Sequence, residues 1–195
     1  TIVRGSGGNN ATRLLVLPTL HTSADQAYVD GLANTISSYN DPNLVATFHY
    51  YGYWPFSVNV AGGTRFDATV QADLTGAFDR MYNAFVTRNI PVILGEYGLL
   101  GFDRHTGTIQ QGEKLKFFEF FGNYARTRQI TTMLWDNGQH LNRTTFQWAD
   151  PELYNQIRSS WTVRSGTTSS DLVFVPRASA ITAKSLTLNL NGTTF

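Results

Sequence analysis

The chain contains no cysteine. That excludes a disulfide scaffold, thiolate metal sites and a cysteine nucleophile. Charge is scarce and nearly balanced: Asp, Glu, Lys and Arg make up 15% of the residues, and 15 basic against 14 acidic side chains leave a net charge of +1. The usual charged share is about 25%. Such a chain has no electrostatic footprint for nucleic acid or for an anionic membrane. Long apolar runs are missing as well. None approaches the ~18 residues of a membrane span, and no signal-peptide pattern is found.

What is present is a length of 195 residues with 42% hydrophobic and 13% aromatic side chains. One globular unit of that length buries roughly 70% of its unfolded surface. Few charges and many aromatics suit a protein that meets uncharged polar ligands such as carbohydrate, although a packed aromatic core gives the same count.

Four short aliphatic runs alternate with stretches of helical period. The runs are Arg13–Leu17, Leu44–Phe48, Val92–Leu94 and Ile130–Leu134. Each is nearly continuous rather than alternating, as parallel strands buried on both faces require. Between them lie apolar stripes of period 3.6: Tyr28, Val29, Leu32, Ala33 and Ile36; Leu74, Ala77, Phe78, Met81, Tyr82, Phe85 and Val86; Phe117, Phe118, Phe121, Tyr124 and Ala125. A fourth helix opens with Asp150-Pro151-Glu152 and would bury Leu153, Ile157 and Trp161. The order β-α-β-α-β-α-β-α predicts an α/β fold with a parallel sheet. Four such units are half of a (β/α)8 TIM barrel, or else a small doubly wound sheet. After Trp161 the texture changes. Residues 162–170 read as a polar linker, and residues 171–195 read as the first strands of an all-β module, with Leu172–Val175 and Leu186–Leu190 as strands and Asn191-Gly192 as a turn.

In parallel α/β folds, ligands bind where strands end. The second strand leaves through His49-Tyr50-Tyr51-Gly52-Tyr53-Trp54, the third through Gly95-Glu96-Tyr97-Gly98, and the fourth through Trp135-Asp136-Asn137-Gly138. A carboxylate with aromatic platforms is what glycoside cleavage needs: an acid group to attack or protonate, and flat faces for sugar rings. Each residue alone also has a structural reading as a cap, a core histidine, rim packing or a turn. Their convergence on one rim favours the chemical one.

These residues carry a resemblance. His49-x-Tyr51, Pro91-Val-Ile-Leu-Gly-Glu96-Tyr-Gly and Trp135 resemble the C-terminal half of a glycoside hydrolase family 5 barrel, above all bacterial endo-β-1,4-glucanases (cellulases). The likeness covers residues 1–161, which it identifies as strands five to eight. Residues 171–195 are similar to the start of an immunoglobulin-like module. The resemblance implies a retaining mechanism with Glu96 as nucleophile, Tyr51 bonded to it, and His49 near the acid/base and the sugar. It makes Trp135 the platform in the cleavage subsites and Trp54 a further one. It also implies secretion, a β-glucan substrate and no metal or organic cofactor. The family's acid/base glutamate follows an asparagine on an earlier strand, and no Asn-Glu pair occurs in this chain. The expectation is therefore that the N-terminal half of the barrel is a partner and that the chain alone is inactive. An inactive or carbohydrate-binding fragment and a xyloglucanase or mannanase of the same family are the alternatives.

Other signals are weaker. Gly5-x-Gly7-Gly8 precedes a strand and is no phosphate loop. His21, His49, His105 and His140 lack zinc-ligand spacing. Asn10, Asn142 and Asn191 begin glycosylation sequons.

Overall fold

The computed structural model describes residues 2–58, 63, 65–101, 111–136 and 138–158, with the backbone alone at 111, 189–190 and 193–194. Four strands form a parallel sheet: β1 (Leu15–Pro18), β2 (Leu44–Tyr50), β3 (Val92–Tyr97) and β4 (Ile130–Leu134). Their spatial order is β1-β2-β3-β4, the order of the chain itself. A doubly wound sheet reverses direction at a switch point. A sheet that runs one way only is the arrangement of neighbouring strands in a (β/α)8 barrel, and the structure is consistent with a fragment of one.

Helices cover one face of this sheet. After a first turn of helix, α1 (Ile2–Gly5), the chain forms α2 (Gln26–Tyr39), α3 (Trp54–Ser57), α4 (Ala68–Ala84), α5 (Gln111–Thr127) and α6 (Pro151–Arg158). Their apolar stripes fall where the sequence period places them. Val29, Leu32, Ala33 and Ile36 are buried on α2, and Leu74, Ala77, Phe78 and Met81 on α4. Phe117, Phe118, Phe121 and Ala125 are buried on α5. The Asp67 side chain caps α4 by accepting from the N–H groups of Thr69 and Val70. Asp150 caps α6, its Oδ1 accepting from Leu153 N at 3.0 Å. Trp161, the linker and Leu172–Val175 lie outside the described residues.

Aromatic rings build much of the core among the described residues. Phe78 meets Phe48, Tyr50 and Phe121 edge-on at 5.4 to 5.7 Å, and Tyr97 stacks on Phe121 at 4.3 Å. Each fully buried ring contributes roughly 1.5–3 kcal/mol relative to exposure. The sheet face opposite the helices is different. On β1 and β4, Val16 and Met133 alternate with helix-facing residues and are 49% and 51% exposed. On β2, Thr47 and His49 share that face and are half-buried.

Two smaller pairings follow the sheet. β5 (Leu141–Asn142) and β6 (Gln147–Trp148) form an antiparallel hairpin between β4 and α6. Beyond the barrel strands, β7 (Asn189–Leu190) pairs antiparallel with β8 (Thr193–Thr194). Residues 191–192, read from the sequence as a turn, and the rest of the segment read as an immunoglobulin-like module lie outside the described residues.

Candidate active site

A slip in strand register places Glu96. Up to Phe48↔Leu94 the pairing of β2 with β3 is regular, but the next rung joins His49 to Glu96, so Gly95 is the extra residue. This bulge changes the phase of β3. Leu94 and Tyr97, three apart, both face the helices, at 0% and 4% exposure. Strict alternation would have sent Glu96 to that apolar side. With the bulge it stands instead on the open face, half-buried beside His49.

Two side chains from the end of β2 converge on it. The Tyr51 hydroxyl donates to Glu96 Oε2 at 2.5 Å. His49 Nδ1 lies 3.2 Å from the same oxygen. A Cβ on Gly95 would sit tightly, 3.0 Å from Thr47 Oγ1 and 3.3 Å from His49 Nε2. After Tyr51 the chain turns at Gly52, with φ +81°, where a Cβ would meet Leu99 Cδ2 at 3.0 Å. The three polar groups expected to act together are therefore in direct contact.

The aromatic candidates flank this group on neighbouring strand ends. Trp135 follows β4, its N–H donating to Tyr97 O at 3.0 Å, and its ring is 42% exposed. Trp54 opens α3 and is 63% exposed. Two residues on, Phe56 is fully buried against Phe66 and Phe117, which anchors the loop that displays Trp54.

Asp136 has a different task from Glu96. Its Oδ1 accepts from the N–H groups of Gly138 at 3.1 Å, His140 at 2.9 Å and Leu141 at 3.3 Å. Burial works against its charge, but these N–H groups outweigh it and hold the carboxyl below its ordinary range. Other features escape a reading of spacing. Glu113 is 1% exposed and accepts from Phe66 N at 2.8 Å and from Lys116 Nζ at 2.9 Å. Lys114, also buried, donates to Asp150 Oδ2 at 2.5 Å. Both tie α5 to its neighbours, and nothing in their spacing sets them apart from the other charges of that helix. A hollow of about 510 Å³, lined by Tyr97, Phe118, Ile130 and Ile157 among others, opens on the helix side of β4, away from Glu96. Among the described residues no group of three or more His, Asp or Glu is placed to hold a metal ion, and no helix is long and apolar enough to cross a membrane.

Comparison with known proteins identifies the family. Residues 1–141 match the family model for cellulase, glycosyl hydrolase family 5. The chain is 60% identical over 194 residues to endoglucanase B of Paenibacillus lautus, covering 100% of this chain and 34% of that protein. Among solved structures it is similar to the tri-modular endo-β-1,4-glucanase B of Bacillus halodurans, at a TM-score of 0.80 and 58% identity over 84% of this chain and 31% of that one. It is also similar to the tri-modular family 5, subfamily 4 endo-β-1,4-glucanase of Bacillus licheniformis complexed with cellotetraose, at a TM-score of 0.67 and 30% identity over 80% of this chain and 29% of that one. The chain thus spans about a third of the length of these relatives. The family model covers well over half of the chain, which therefore belongs to glycosyl hydrolase family 5.

Proposed function

We propose that this chain carries the nucleophile and part of the sugar-binding cleft of a secreted, endo-acting β-1,4-glucanase that works by retaining double displacement. The observation that carries the reading is the convergence of Tyr51 and His49 on one oxygen of Glu96, on the open sheet face, with Trp135 at the next strand end. A hydroxyl donor on one oxygen fixes the orientation of the carboxylate, as a nucleophile requires. With both contacts on Oε2, Oε1 is the atom that attacks the anomeric carbon. The bond to the leaving oxygen breaks as the glycosyl–enzyme ester forms, and water then cleaves that ester.

Retention needs a second carboxyl about 5–5.5 Å from the first to protonate the leaving oxygen and later to activate water. Asp136 is ill suited, because the N–H groups of its own loop hold it ionised. We assign the acid/base to a glutamate outside these residues, on an earlier strand of the same barrel. Trp135 and Trp54 are the platforms for the apolar faces of the sugar rings.

The test is Glu96→Gln in the intact barrel. The change is isosteric, so the melting temperature should hold while kcat on soluble β-1,4-glucan falls by several orders of magnitude. NMR of the first-formed product of the unaltered enzyme should show the β anomer. Inverted product, or near-normal turnover in the Gln variant, removes Glu96 from this role.

A further inference from the structure

We propose that Asp136 is a positioning residue for the sugar platform. Its carboxylate draws the chain leaving β4 into a single closed loop and through that loop fixes Trp135 against the cleft. The inference rests on the reading of Trp135 as a platform.

The need for such a residue follows from where Trp135 stands. Its N–H is bonded to Tyr97 O, the last rung that β3 offers this chain. Beyond that rung the sheet gives no support, yet the indole is 42% exposed and must keep one orientation to stack on a sugar. The next residue supplies what the sheet no longer does. Asp136 Oδ1 gathers the N–H groups of Gly138, His140 and Leu141. Gly138, with φ +109°, allows the chain to turn back. Arg143 Nη2 donates to the Asp136 carbonyl at 3.0 Å and lies 3.7 Å from Oδ2, so both ends of the residue are held.

The far side of the loop is anchored in turn. Leu141 and Asn142 pair with Trp148 and Gln147, and Ala149 N–H donates to His140 O at 2.8 Å. The buried His140 ring stacks on Trp148, which packs against Tyr154 of α6 at 4.8 Å. Asp136 thus links a platform at the strand end to a hairpin pinned on the helix layer. A carboxylate spent on three N–H groups of its own loop is not available to the reaction. Its effect reaches catalysis only through Trp135.

The experiment is a double-mutant cycle in the intact barrel, with cellotetraose as probe and soluble β-1,4-glucan as substrate. Asp136→Ala should lower kcat/KM by roughly tenfold, about 1.4 kcal/mol. Asp136→Asn, whose Oδ1 still accepts the N–H groups, should stay within about threefold of the unaltered enzyme. Trp135→Ala combined with Asp136→Ala should be no worse than Trp135→Ala alone, since one residue acts through the other. The cellotetraose-induced fluorescence change that Trp135→Ala abolishes should be diminished in Asp136→Ala. Additive losses, an unchanged kcat/KM in Asp136→Ala, or an Asn variant as impaired as the Ala variant would each overturn the proposal. The Asn result decides even where the Ala variant does not fold. If Trp135→Ala by itself leaves kcat/KM unchanged, the platform reading fails and the positioning role with it, and that single variant identifies the case.

Discussion

Gly95 faces the open side of the sheet, where a Cβ would sit tightly against Thr47 and His49. Gly95→Ala would press a methyl group on Thr47 Oγ1 and the His49 ring. The ring must shift by a few tenths of an ångström, and a misplacement of about 1 Å in a catalytic group costs about 10²-fold. We expect Gly95→Ala to lower kcat by about tenfold, read in steady-state kinetics, with a change in melting temperature of only a few degrees. Tyr51→Phe keeps the ring and removes the hydroxyl donor. Bonds to a charged acceptor contribute about 1.5–3 kcal/mol, so its kcat/KM should fall roughly 10- to 100-fold while circular dichroism stays unchanged. Equal activity in the Phe variant would mean that the contact with Glu96 is incidental.

Among the elements, α5 is held by charge as well as by aromatic packing. Its Lys114 is paired with Asp150, which also caps α6. Removing one member of a buried pair typically costs 3–5 kcal/mol, because the other is left charged in a dry site. Lys114→Met should therefore lower stability in urea unfolding by about that amount. Adding Asp150→Asn should recover most of it, since asparagine still caps α6. The four strands and the helix faces were legible in the sequence because burial imposes a period, and runs such as Val92–Leu94 have few other uses. The end of β3 was legible only in part. Spacing located Glu96 at the strand exit, but the bulge that turns it from the helix side to the open face arises from pairing with β2, which no local pattern encodes. The hairpin of β5 and β6 was missed for a related reason. Two-residue strands carry no alternation, and the residue that organises their loop, Asp136, resembles any turn aspartate until its three N–H partners are seen.

For the whole molecule, the two faces of the sheet have unlike fates. The helix side is closed by a continuous core, whereas Val16 and Met133 on the outer strands remain about half exposed. Outer strands with apolar side chains invite further pairing. A sample of these 195 residues alone should self-associate in sedimentation unless the rest of a barrel is supplied, and a well-folded monomer would count against this. Acid should also weaken the fold. Glu113 and Asp136 are both held below their ordinary values of 4.5 and 3.8 despite the opposing effect of burial. A depressed carboxyl contributes stability that is present above its unfolded pKa and lost as pH falls through its folded value. Melting temperature should thus be level near neutrality and drop from about pH 4.5 downward, with a smaller drop in Glu113→Gln.

Covalent trapping tests the central claim most directly. The intact barrel, treated with a 2-deoxy-2-fluoro cellobioside bearing a good leaving group, forms a glycosyl ester that hydrolyses slowly enough for peptide mapping by mass spectrometry. The account predicts one added fluorocellobiosyl unit per active site, on Glu96. A label on another carboxylate, or full turnover by inversion with no trapped ester, would contradict it.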